Sequence, residues 1–479
     1  MTSVRRRAVS RLAAAVLAPG LLAAGAIAGA APAAADDQPG QPGGATATLD
    51  GLKTFDKAVI HSDGGDKRVG AGLFEMTVDG GGTLQTYCID IANPTTDKAR
   101  YGEVSWDESS LNDNKDAGKI LWILQNSYPQ VNDLNTLADA AKLGDGEKLT
   151  AQTAAAGTQV AIWRFSDHAD VEAVDPAAEK LADYLEQKAE DVPEPTASLT
   201  LDPQAVSGKA GERLGPVTVG TNAPSVTVGA LTGASASGVQ VVDKDGNKLT
   251  STTDGGELYF DVPKGTEPGS AALTLKASTK VPVGRAFTSL GGHKSQTQIL
   301  AGSSQSTVSA TATATWADGG PIAAVTAEKE CTAGGVKVTV TNNGDAPFEF
   351  TLAGEKKTVP AMESTEVTVP VEEDQRYNIT ITGPDGFEKT ISGVLDCETA
   401  GTGGGEDEGT TPQTGSDGGS GEDQPAEEQD ESDTDLAATG SSSNTPLIVG
   451  IALALVVLGG VAMVIVRKRK PATASGSDD

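Results

Sequence analysis

From residue 197 to residue 398 this chain alternates. Segments such as "ASLTLDP", "GPVTVG", "ELYFDVP", "SAALTLKAS" and "STVSATATATW" place an apolar or β-branched residue at every second position. A period of two puts one set of side chains on one face of a strand, and Thr and Val suit a pleated, half-buried surface. Gly, Pro, Asp and Asn punctuate the runs and no helical period intervenes, so the stretch predicts antiparallel β-sandwiches. It divides into a β-sandwich domain over 196–318 and an immunoglobulin-like β domain over 322–398. "DKDGNK" at 243–248 spaces carboxylates like part of a calcium loop. Its glycine is out of register and no glutamate closes it, so a hairpin turn is the better reading.

The region before it, 46–192, has another style. It holds Trp106, Trp122 and Trp163, three of the four tryptophans, and so the main aromatic core is expected there. Strand signals come first, in "KAVIHS", "AGLFEMTVDG" and "TLQTYCIDI". "DNKDAGKILWILQNSYP" then carries apolar residues at 120, 121, 123 and 124 and ends at Pro129, which predicts a helix. A second, amphipathic helix is expected in "TAQTAAAGTQVAIWRFSD", 150–167, with Thr150 as its N-cap. A third is expected in "PAAEKLADYLEQKAE", 176–190, with proline near its start. Strands plus helices make 46–192 an α+β domain, and "DVPEPT" at 191–196 is a hinge.

The ends of the chain bear on where it works. Arg5, Arg6, Arg7 and Arg11 precede an Ala/Leu-rich stretch that ends in "APAAA", which predicts a signal peptide over 1–35 cleaved after Ala35. Residues 36–45 form a polar leader. Near the other end, residues 399–435 contain no Lys or Arg and no apolar cluster, so they predict a disordered acidic linker. "LAATG" at 436–440 follows, then an uncharged run over 447–466 and a basic tail over 467–479 opening with "RKRK". At about 1.5 Å per residue the run would span about 30 Å, one bilayer core, as a single transmembrane helix with a cytoplasmic tail. Pentapeptide, apolar span and basic tail in that order resemble the cell-wall sorting signal of Gram-positive surface proteins. Alanine at the second position resembles actinobacterial sortase substrates. The resemblance implies a sortase as partner, cleavage between Thr439 and Gly440, and attachment of Thr439 to peptidoglycan. A protein retained in the membrane by its span is the alternative. The formal net charge of −30 argues against nucleic acid as a partner, since no basic stripe can track phosphates.

In an exported chain cysteines pair. Cys331 and Cys397 sit near the first and last strands of the last domain and are expected to form a disulfide, which leaves Cys88 alone. Cys88 lies in "YCID", on a strand. Some seventy residues later "TQVAIW" places Thr158, Gln159, Ala161 and Trp163 on the second helix, in the pattern T-Q-x-A. This pair of motifs, with "KILWILQNSYP" between them, resembles the thioester domains of Gram-positive surface proteins. The resemblance covers about 46–192 and implies an internal thioester joining Cys88 to Gln159. A thiolate that displaces ammonia from a carboxamide leaves an acyl group on sulfur, a good electrophile for an amine on a target. Such a bond is consumed once, so the chain is read as a reagent and not a turnover enzyme, with no cofactor and no metal. Tyr87 and Trp163 are candidates to shield the bond. Thr158 is a candidate to hydrogen-bond near the carbonyl, and Ala161 to leave the approach open.

Two other functions compete. A passive wall spacer would use the β domains as a stalk and keep Cys88 as a buried thiol. A cysteine hydrolase would need a histidine beside the thiol. His61 and His293 stand in turn-like contexts, and His168 in "FSDHAD" follows the glutamine helix.

Overall fold

The computed structural model describes residues 43–397 apart from 63, 234, 235, 237 and 291–293. The expected signal peptide, acidic linker, Thr439–Gly440 sorting site, apolar run and basic tail lie outside the described residues, as does His293. Among the described residues no helix is long and apolar enough to cross a membrane.

The first region contributes β1 (Thr46–Ile60), β2 (Lys67–Val78), β3 (Thr83–Cys88), β4 (Arg100–Val104) and β5 (Val171–Ala173). It also contributes α1 (Ala117–Asn126), α2 (Leu134–Ala140), α3 (Ala151–Ser166) and α4 (Pro176–Lys188). Three of these helices match the expected ones. The additional helix, α2, has seven residues and is started by Asp133, whose side chain accepts the Asn135 N–H. It is too short to show a periodic stripe. Thr150 caps α3 as expected: its hydroxyl accepts the Thr153 N–H, and the Thr153 hydroxyl accepts the Thr150 N–H. The expected amphipathic character of α3 is corrected, because every residue from Thr153 to Trp163 is buried. The helix runs between β1, β2 and β3 on one side and α1 and α4 on the other. Its alanines and Gly157 make this possible, since a methyl group at Gly157 would stand 2.4 Å from the Ala178 carbonyl oxygen.

The division expected at 192–196 is corrected as well. Strands Ala286–Ser289 and Gln298–Ser303 leave the second region and enter the first sheet between β3 and β4. Following the antiparallel pairs from β1 through β2, β3, Gln298–Ser303, Ala286–Ser289 and β4 leads back to β1, so six strands close into a barrel. The physical reason is burial on both faces. "AFTS" and "QILAG" are buried at every position and show no alternation, so a period-two template passes over them.

Around this excursion the second region is a two-layered β domain. One sheet joins Leu199–Asp202, Arg213–Thr221, Glu257–Asp261 and Gln240–Val242. The other is built on Gly269–Thr279 and Ser306–Ala317, paired from Gly269↔Trp316 to Thr279↔Ser306. The "DKDGNK" segment is a turn, with the Asp243 carboxylate accepting the Asp245 and Asn247 N–H groups. The last region packs a three-stranded sheet on a four-stranded one around a separate core that includes Val338, Phe350 and Ile381. Cys331 and Cys397 are disulfide-bonded across 66 residues, a closure that stabilises the domain by about 4 kcal/mol in the chain-entropy view.

One carboxylate joins the barrel to the chain around it. Glu103, on β4, accepts the N–H groups of Ala45 and Ser198, the Ser198 hydroxyl, and Nε of Arg285 at 3.1 Å. Both charged side chains are almost fully buried, at 0% and 6% exposure. Arg285 also binds Glu194 and the Pro195 carbonyl of the hinge. Removing one member of such a pair strands the other charge. Arg285→Met should therefore lower the unfolding free energy by about 3–5 kcal/mol, and the double variant Glu103→Gln/Arg285→Met should lose less than the sum of the single losses, both read by urea titration.

Candidate functional site

β3 ends at Cys88, and α3 crosses it so that Gln159 meets the Cys88 backbone. The Gln159 carboxamide is held at both ends: Oε1 accepts the Cys88 N–H at 3.0 Å, and Nε2 donates to the Cys88 carbonyl at 2.9 Å. A side-chain amide gripped by the peptide of the residue carrying the thiol has almost no freedom to turn away. Cys88 and Gln159 are both completely buried. The cross-strand neighbour of Cys88 is Gln298, and that of Tyr87 is Ile299, so the inserted hairpin forms one wall of the site.

Two donors face the sulfur. The Trp163 indole Nε1–H and the Asp90 backbone N–H both lie 3.3 Å from Sγ. They favour negative charge on sulfur, but other influences outweigh them. Burial, and then the nearby charges of Asp167 and Asp90, push the Cys88 thiol well above its ordinary range. Asp167 is itself pushed up to about 6 by burial, against hydrogen bonds from Ser166 and the Ile91 N–H. Its grip on Ile91 fixes the loop that leaves Cys88 to the end of α3. Asp90 is likewise raised well above the carboxylate range, first by burial and then by Asp396 and Asp167.

The structure brings Cys88, Gln159 and Trp163 together. Tyr87 and Thr158 are adjacent, and Thr158 takes another role than expected. The Tyr87 phenol is fully buried and donates to the Tyr128 carbonyl at 2.8 Å, which anchors β3 to the end of α1. Thr158 donates to the Ala154 carbonyl one turn back along α3, and not to the Gln159 carbonyl. Ala161 is completely buried, so it leaves no exposed approach. Asp90, Asp167 and Gln298 were missed as site residues. Asp90 stood in plain view in "YCID" and Asp167 at the end of the glutamine helix, whereas Gln298 lies in the run without alternation. Among the described residues no histidine hydrogen-bonds Cys88, and His168 is exposed with a left-handed backbone, so the arrangement a cysteine hydrolase needs is not formed by them.

The thioester-domain family model matches residues 85–191, a span that contains both Cys88 and Gln159. Over that span the chain is similar to thioester domains. A second model, the C-terminal domain of bacterial phospholipase C, matches residues 323–394, the last β domain. Among solved structures the chain is similar to the Bacillus anthracis TIE protein, at 14% identity over 74% of this chain and 81% of that one, with a TM-score of 0.26. It is also similar to the thioester domain of the Enterococcus faecium TIE86 protein, at 14% identity over 57% of this chain and 97% of that one, with a TM-score of 0.27. The thioester domain of the Staphylococcus aureus TIE protein gives 15% identity over 57% and 98%, with a TM-score of 0.23. No curated protein matches the sequence. At these scores the solved structures carry no weight for this chain's activity, and the likeness to thioester domains rests on the family model.

A buried thiol whose proton is held this firmly should be inert as long as the domain stays folded. In Gln159→Ala, a thiol reagent at pH 8 should label Cys88 more slowly than a free cysteine by about tenfold or more, and unfolding should restore the full rate.

Proposed function

We propose that the chain is a single-use acylating reagent displayed on a cell surface, in which Cys88 and Gln159 form an internal thioester that reacts with an amine on a target. The observation that carries the reading is the grip of the Cys88 peptide on the Gln159 carboxamide, with donors at both the carbonyl oxygen and the sulfur. In the forming step the Cys88 sulfur bonds to Cδ of Gln159, the C–N bond breaks, and the thiol proton leaves with the nitrogen as ammonia. The Cys88 N–H at Oε1 sits where charge develops on the carbonyl oxygen, the position an oxyanion donor occupies. In the spending step an amine bonds to the same carbon, sulfur departs, and the amine's proton returns the thiol. Trp163 Nε1–H and the Asp90 N–H stabilise the departing sulfur. Complete burial keeps water from the bond in the meantime.

Export by the N-terminal segment, display on the acidic linker, and sortase attachment to peptidoglycan through Thr439 complete the proposal, with adhesion to a host or neighbouring cell as the role. The reagent is consumed in the reaction, so it is not an enzyme. The passive spacer has one observation in its favour, the raised and fully buried thiol, which is what an unused cysteine would also show.

Intact mass of the purified chain beside Cys88→Ala separates the two readings. The thioester reading expects the wild type to be lighter than its encoded, disulfide-corrected mass by one ammonia, the variant to show no such loss, and methylamine to add at residue 159. Full encoded mass in both proteins would leave the spacer. If the bond is present, Trp163→Ala should shorten its lifetime in neutral buffer by about tenfold, equivalent to about 1.4 kcal/mol of barrier, followed by the return of free thiol.

A further inference from the structure

We propose that Glu373, Asp374 and Asp396 form a calcium site where the last β domain meets the loop that follows Cys88. Glu373 and Asp374 stand in the turn between strands Glu363–Pro370 and Arg376–Thr382, and Asp396 follows the final strand, Glu388–Val394. One carboxylate oxygen from each lies within 4.8 Å of the other two. Calcium binds oxygen at about 2.4 Å, so ligands on opposite sides of one ion stand about 4.8 Å apart.

A second observation points to a ligand. Four buried side-chain polar atoms lack a hydrogen-bond partner among the described residues, and two of them belong to this cluster, Oδ1 of Asp374 and of Asp396, with Oδ1 of Asp90 a third. Asp396 is 2% exposed and Asp90 is fully buried. Buried oxygens with spare lone pairs are costly to leave unmatched, and a cation is the partner that would satisfy several together. The other oxygens are already engaged. Asp396 Oδ2 accepts from Thr297 Oγ1, Asp90 Oδ2 from Asn93 Nδ2, and Glu373 Oε1 from the Cys397 N–H.

Charge agrees. Asp90 interacts electrostatically with Asp396 and Asp374, so four carboxylates gather here. Two ammonium groups face them: Lys294, paired with Asp374, and Lys329, which hydrogen-bonds Thr288 and lies near Asp396. Such an ion would join the disulfide-closed domain to the barrel hairpin through Thr297, whose hydroxyl donates to Asp396.

The test is a calcium chloride titration of the EDTA-treated full chain, followed by calorimetry and by thermal unfolding, with magnesium chloride and ionic-strength-matched sodium chloride alongside. We expect one calcium per chain, with a Kd on the order of 10⁻⁴–10⁻³ M as in extracellular modules, and a higher unfolding midpoint that the other salts do not reproduce. Asp374→Asn should weaken binding by about tenfold or more. It is the half-exposed member and keeps the test open should Asp396→Asn fail to fold. Cys88→Ala should bind calcium like the wild type, so failure of this site and failure of the thioester reading are separate outcomes. No heat and no shift at about 10 mM calcium, an equal shift with sodium chloride, or undiminished binding in Asp374→Asn would each overturn the proposal.

Discussion

The buried carboxylate of Glu103 is the interaction on which the arrangement depends. It collects donors from residue 45, from residue 198 and from Arg285, three segments far apart in the chain that must all be in place before its charge is matched. An unmatched carboxylate in this position would cost several kcal/mol, so closing the barrel around β4 favours recruiting the hinge and the inserted strand together. That requirement also brings Gln298 alongside Cys88 and makes the surroundings of Cys88 a product of two regions of sequence.

Within the site, opposed tendencies are balanced. Donors at sulfur and at the carbonyl oxygen favour charge where acyl transfer would generate it, while burial and the neighbouring carboxylates disfavour a free thiolate. In solution either tendency alone would give a thioester that hydrolyses or a thiol that oxidises. On the proposed function, enclosure leaves the thiol only the one carbonyl held against it, and proximity replaces basicity as the source of reactivity.

Much of this was legible in the sequence, for stated physical reasons. Alternating Thr/Val runs marked the strands of both β domains, capping at Thr150 marked the start of α3, and the spacing of cysteines marked the disulfide. Cys88 and Gln159 were visible as a pair of motifs. What was hidden was whatever lacked a solvent-facing side. The α3 segment is buried all round, so its polarity pattern was misread as amphipathic, and strands 286–289 and 298–303 have two buried faces and no period. The partners of Thr158 and Tyr87 depend on three-dimensional neighbours, which no local pattern encodes.

The inserted hairpin also sets an order of events. A chain made from its N-terminus presents β3 long before residue 303 exists, and until then the edge of β3 that carries the Cys88 pairing has no neighbour. Gln159 emerges about a third of the way through that interval. The pair therefore remains an open strand edge and an unplaced helix while more than a hundred further residues are made. Assembly of the site is deferred until the sandwich strands that flank the hairpin can fold, so the domain that holds Cys88 and Gln159 is completed by the one that follows it.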